Sequence, residues 1–138
     1  IVEALPKIER GEIKPVRQQE EKASYAKMLD KSMGEINWQE SAQKLDCLIR
    51  GLISWPGAYT HYRGKTLKIW MEEPAAGWAD AAYEPGTICE VAKDHFCVQT
   101  GEGALRIREV QLEGKKRMAV KDFLLGCHMT SGEKLGEK

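Results

Sequence analysis

A chain of 138 residues with 42% hydrophobic and 30% charged side chains can bury roughly two-thirds of its unfolded surface, so a packed core is available. Its 21 basic and 21 acidic residues cancel, which excludes a binder coated uniformly in positive charge and leaves any nucleic-acid affinity to local asymmetry. No apolar run approaches the roughly 18 residues that a membrane-spanning helix needs, and no signal or transit segment is visible.

The chain opens in mid-pattern at Ile1 and reads as a piece of something longer. Val2, Leu5 and Ile8 recur at three-residue spacing, a helical stripe over residues 1–10 that is too short to stand alone. Residues 1–24 are therefore expected to be the least ordered part. From Gly11 to about Ser24, mixed charges and few apolar residues have the composition of an extended linker. Residues 41–52 give the clearest helix: Ala42, Leu45, Leu48, Ile49 and Leu52 form one stripe, Ser41 can cap its start and Gly51 sits near its end.

After Ser54-Trp55-Pro56-Gly57 the period changes from helical to alternating. Residues 58–62 and 66–72, joined by Arg63-Gly64, read as a hairpin with Leu67, Ile69 and Met71 on one face. A long loop precedes three further strands near 87–91, 95–99 and 104–111, divided by turns at Lys93-Asp94 and Gly101-Glu102-Gly103. Val120, Phe123 and Leu124 form a last helical turn, placed at about 119–125. Five to six short strands between two helices predict a mainly β fold, an OB-like open barrel.

Chemistry is sparse. Cys47, Cys89, Cys97 and Cys127 contain no C-x-x-C pair and only His61, His95 and His128 could complete a metal site, so no metal is expected and the thiols read as reduced and buried. A bridge between Cys89 and Cys97 on a hairpin is the alternative. The glycines of 101–103 precede a strand rather than a helix, which makes them a turn and not a phosphate loop. His61 and His95 lack a nearby Ser or Cys nucleophile in the sequence pattern, and Glu72 and Glu73, as strand neighbours, point to opposite faces. No catalytic residue is assigned. Trp55, Trp70 and Trp78 can stack on bases, although structural tryptophan is the commoner case.

Positive charge is better organised. Lys115, Lys116, Arg117 and Lys121 fall within seven residues, flanked by Glu113 and Asp122. Lys27 and Lys31 lie four apart, and Arg63 and Lys65 straddle the first hairpin tip. A solvated surface loop is the ordinary reading of such lysines. Brought to one side of a barrel, these eight residues would instead form a strip able to neutralise phosphates.

The segments LIRGLISWPGAYT (48–60), LKIW (67–70), PGTI (85–88) and VQTGEGALRIREVQLEGKKRMAVKDFLLG (98–126) resemble the C-terminal half of the methionyl-tRNA formyltransferases. LPKIERGEIKPVRQ and YAKMLDKSMGEINW resemble the preceding junction, so the likeness spans residues 1–126. It implies that 1–10 is a remnant of the catalytic domain's last helix, 11–37 an interdomain segment, 38–126 the OB-like domain and 127–138 a polar tail. The implied partners are the acceptor arm of initiator methionyl-tRNA and the missing N-terminal catalytic domain of the same chain, in the cytoplasm. That domain would carry 10-formyltetrahydrofolate as formyl donor, with no cofactor on this piece, because the family's catalytic Asn, His, Asp and SLLP motif have no counterpart here. On this resemblance Lys27, Lys31, Arg63, Lys65, Lys115, Lys116, Arg117 and Lys121 are the expected tRNA contacts. Met28 stands where many relatives have Lys, which weakens the strip, and Ile53-Ser54 replace Asn-Pro before the retained Trp-Pro-Gly. The competing expectation is a structural or substrate-orienting module of a related folate-dependent formyl-transfer enzyme with no RNA substrate. A plain protein-interaction domain is a third.

Overall fold

The computed structural model describes residues 1–77 and 83–137. Trp78, one of the three tryptophans considered for stacking, lies outside the described residues. A short helix, α1 (Ala4–Glu9), is followed by extended chain with single 3-10 turns at Glu20–Lys22 and Lys31–Gly34. The principal helix, α2 (Ala42–Leu52), forms where expected. Its backbone N–H at Lys44 donates to the Ser41 hydroxyl at 3.3 Å, capping the start, while Ala42, Leu45, Ile49 and Leu52 are buried along one stripe. Gly51 is its last residue but one, near the end as expected.

Six strands follow: β1 (Ala58–Tyr62), β2 (Lys65–Pro74), β3 (Ile88–Val91), β4 (Phe96–Gln99), β5 (Ala104–Leu112) and the two-residue β6 (Met118–Ala119). They make one antiparallel sheet in the order β1-β2-β5-β4-β3, with β6 added on β5. The β1–β2 hairpin turns on Arg63 and Gly64, both at positive φ (49° and 71°). A two-residue loop of that hand matches the natural strand twist. Leu67, Ile69, Ile88, Phe96, Val98, Leu105, Ile107 and Val110 face a core closed on one side by α2 and on another by α3 (Val120–Gly126), which adds Val120 and Phe123. The sheet is open, as expected: β1 and β3 end its main path of strands.

Three expectations need correction. Met71 does not share the inward face of Leu67 and Ile69. Register shifts on either side of it turn its side chain out, as an extra residue in one strand must. The thiols are all free, and Cys89 and Cys97 are buried, but Cys47 is exposed and Cys127 half-buried. Lastly, residues 127–138 are not a loose polar tail over their described part. Met129 and Leu135 are 6% and 5% exposed and belong to the core. Around them the backbone bonds both sheet edges: Gly132 N–H donates to Ile88 O and Leu135 N–H to Gly86 O, each at 2.8 Å. Ile88 N–H returns to Glu133 O, and Gly136 N–H reaches His61 O on β1. The segment is a strap over the open seam, satisfying edge groups that would otherwise invite another strand.

Candidate nucleic-acid interface

Because side chains alternate across a strand, burial of Ala58, Thr60, Leu67, Ile69 and Val110 sends Tyr59, His61, Thr66, Lys68, Trp70 and Gln111 to the opposite face. Antiparallel register aligns them: Tyr59 stands opposite Lys68, Lys68 opposite Gln111, and His61 opposite Thr66. Trp70 Nε1 donates to Gln111 Oε1 at 3.2 Å, and Gln111 Nε2 donates to the Lys115 carbonyl at 3.0 Å, tying the β5–β6 turn to this face. Thr66 and Glu113 exchange bonds, Thr66 N–H to the Glu113 carboxylate at 3.0 Å and Glu113 N–H to Thr66 O at 2.8 Å. The two basic hairpin tips, 63–65 and 115–117, therefore stand at the same end of the sheet.

The Lys31 turn reaches the face through a close backbone approach. A Cβ on Gly34 would lie 2.2 Å from the Gly57 carbonyl oxygen, so only glycine lets the 3-10 turn seat against the loop carrying Trp55. Ile36 N–H then donates to Tyr59 O at 2.8 Å. The result is a recess of about 630 Å³ lined by Lys31, Trp55, Tyr59, His61, Thr66 and Lys68, with Pro56 at its side. No ion pair engages Lys31 or Lys68 among the described residues.

The eight candidates are not equivalent. Lys31 joins the recess, while Lys27 is exposed on extended chain near Asp30. Lys65 adjoins Glu113, and Lys115 and Lys116 are exposed on the β5–β6 turn. Arg63 is committed to the strap, donating to the Glu133 carboxylate at 3.0 Å and to His128 O at 2.8 Å, with its guanidinium 4.9 Å from the Tyr62 ring. Arg117 is committed too: it pairs with Glu109 and lies 5.0 Å from the Trp70 ring centre. Lys121 belongs to a different recess, with Ala92, Lys93, Asp94 and Leu125. Lys68 was missed by the sequence reading, although the alternation Thr66, Lys68, Trp70 against Leu67, Ile69 already places it outward.

Elsewhere, the β3–β4 hairpin gathers Glu90, His95 and Cys97, whose donor atoms lie within 4.8 Å of one another. Sequence spacing gave no hint of this, and it places a thiol beside a histidine whose Nδ1 is 2.8 Å from Asp94. Burial pushes the Cys97 thiol up to about 12, and the thiol donates to the Glu90 carboxylate at 3.6 Å. Thiolate is therefore scarce near neutrality, which disfavours both nucleophile and metal ligand. Glu72 and Glu73 do diverge: Glu73 pairs with Arg106 and Arg108 in solvent, whereas burial, reinforced by Asp46 and opposed by Arg50, raises the Glu72 carboxyl to about 7.

Comparison with known proteins agrees with this architecture. The family described as "Formyl transferase, C-terminal domain" matches residues 28–128. The methionyl-tRNA formyltransferase of Agathobacter rectalis is 46% identical over 95% of this chain and 42% of its own length. That of Lachnospira eligens is 43% identical over 99% of this chain and 44% of its own. The chain thus spans less than half the length of these curated relatives. Among solved structures, HypX from Aquifex aeolicus, 21% identical, superposes with a TM-score of 0.59 over 89% of this chain and 22% of its own, and so shares the fold. With residues 28–128 matched, well more than half of the chain, the chain belongs to the formyl transferase family and carries the family's C-terminal domain.

Proposed function

We propose that this chain is the RNA-holding part of a methionyl-tRNA formyltransferase, acting in the cytoplasm in translation initiation. It grips the acceptor arm of initiator methionyl-tRNA while a preceding catalytic domain, matching the remainder of the relatives' length, transfers formyl from 10-formyltetrahydrofolate to the methionine amine. The observation that carries this reading is the outward face of β1, β2 and β5. There Lys31 and Lys68, free of ion pairs among the described residues, flank aromatic side chains and lead to Lys65, Lys115 and Lys116. Phosphates suit such a face, since A-form RNA offers side chains its backbone and shape rather than its closed major groove. The domain's work is positional. Holding the aminoacylated end near the reacting centre raises its effective concentration without any chemistry of its own. This piece alone is therefore inactive and holds no folate.

Binding of initiator and elongator tRNA across a salt series tests the reading. Lys31→Ala with Lys68→Ala, and separately Lys115→Ala with Lys116→Ala, should weaken both tRNAs by a similar factor. The slope of log affinity against log salt should fall by about 0.7–0.9 for each phosphate that is no longer neutralised. The commitment of Arg63 and Arg117 to internal acids favours a second reading, a module that orients a non-RNA substrate. Unchanged affinity and slope in both double variants would select it.

A further inference from the structure

The chain's tryptophans have different employments. Trp38 is buried, 5% exposed, with Nε1 donating to Thr60 Oγ1 at 3.1 Å. Trp70 is half-buried, bonded to Gln111 and covered by Arg117. Trp55 is 51% exposed and, among the described residues, has neither a hydrogen-bond partner for its indole nor a cation on its ring. Exposed indole edged by cations is a poor structural device but a good stacking platform.

Its setting is built rather than accidental. Gly57, at φ 80°, turns the chain straight into β1, and Gly57 N–H donates to Leu52 O at 2.9 Å, so the loop is anchored to the end of α2. The Gly34 contact holds Lys31 against the same loop. Across the recess, Tyr59 and His61 pack edge to face, their ring centres 5.9 Å apart at 87°, giving a stiff aromatic wall beside Lys68. Acidic groups at the rim are engaged: Glu35 lies 3.9 Å from His61 Nδ1 and Glu113 receives Thr66 N–H. A flat apolar ligand carrying negative charge fits this arrangement, with its plane on Trp55 and its charge toward Lys31 and Lys68. A volume of about 630 Å³ is within the range of small-ligand sites.

We propose that this recess holds one unpaired nucleobase of the bound RNA, stacked on Trp55, with its flanking phosphate between Lys31 and Lys68. This rests on the RNA-holding reading and sharpens it. The neighbouring turn at 115–117 meets phosphates of paired RNA, whereas Trp55 engages a nucleotide that is free of a helix. A paired base presents only its edge in a groove and cannot offer the face that stacking needs.

The test compares two probes on the full chain: a single-stranded oligoribonucleotide of about eight nucleotides and a blunt RNA duplex with the same number of phosphates. Trp55→Leu should weaken the single strand about 5- to 100-fold and leave the duplex unchanged, and Trp55→Phe should restore most of the single-strand affinity. Circular dichroism and unfolding of the variants guard against misfolding, and Trp55→Gln, which also lacks an aromatic face, takes the place of Trp55→Leu if the latter does not fold. Equal weakening on both probes, or none on either, overturns the stacking site. The latter, together with lower stability, would identify Trp55 as a packing residue of its loop. Binding of neither probe by the unaltered chain would sink the RNA-holding reading and the stacking site together. Retained binding that is sensitive to Lys115 and Lys116 but not to Trp55 would sink only the stacking site.

Discussion

Residues 1–33 and residues 127–137 both look like flanking chain in the sequence, with scattered apolar residues among charges, yet they meet opposite fates. In the first stretch Ile1, Val2, Leu5, Ile8, Val16, Tyr25 and Met28 are all exposed, and α1 makes only its own backbone bonds. In the second, Met129 and Leu135 enter the core and the backbone from Gly132 to Gly136 ties β3 to β1. Apolar content does not separate them, since the first is the richer in large apolar side chains. What separates them is whether an unpaired sheet edge lies within reach. The strap finds two such edges, and burial of its two anchors then contributes on top of bonds that the sheet offers to any extended segment.

Deleting residues 128–138 should have the largest effect. Loss of two buried anchors, each worth about 2–5 kcal/mol, approaches the whole stability of a domain this size, so the truncated chain should be largely unfolded in urea titrations starting from native buffer. Deleting residues 1–24 should leave the urea midpoint almost where it was. Similar midpoints for the two truncations would erase the distinction. Leu135→Ala isolates one anchor and should cost about 2–5 kcal/mol, since the cavity would sit beneath a strap pinned on both sides.

This contrast also marks what was legible from the residues alone. Helix α2 and the β1–β2 hairpin announce themselves through periodicity and through Arg63-Gly64, signals that live within a dozen residues. The strap has no period: Met129 and Leu135 are six apart with Thr130, Ser131, Gly132, Glu133 and Lys134 between them, and their burial depends on edges contributed by residues 61 and 86–88. The interface divides in the same way. Basic hairpin tips could be read as clusters, but the capture of Arg63 by Glu133, 70 positions away, could not. Nor could the meeting of Lys31 with Lys68, which depends on the approach of Gly34 to Gly57.

Glu133 gives a smaller, pH-dependent handle on the strap. Burial pushes its carboxyl up, but hydrogen bonds from the Tyr62 hydroxyl at 2.7 Å and from Thr130, with the Arg63 guanidinium, outweigh this and hold it at about 2, against 4.5 when unfolded. A carboxyl depressed in the fold adds stability that is present above the unfolded value and is lost as pH falls from 4.5 toward about 2. Glu133→Gln should therefore cost about 1.5–3 kcal/mol near neutral pH, with the gap to the unaltered chain closing through that acid window. Thermal melts of both proteins across the window check this. A gap independent of pH would mean that shape rather than charge holds the residue.

The smallest expected effect lies at the other end of the chain. Leu5 and Ile8 sit on α1, a six-residue helix with no side-chain cap, and both remain more than half exposed. A helix of that length gains almost nothing from its own hydrogen bonds, so its apolar stripe would be worth something only against a partner surface. Within this chain no residue of α1 is buried. Leu5→Ser with Ile8→Ser should therefore shift unfolding by no more than about 0.5 kcal/mol, well below the cost of Leu135→Ala. A loss approaching that of Leu135→Ala would show that α1 docks on the sheet in solution, and the line drawn between the two flanks would have to move. If the pair of substitutions is silent here but costly in a chain extended by the preceding portion of the relatives, the stripe's partner lies in that portion. The two flanks would then differ only in which domain supplies the edge or surface that each one needs.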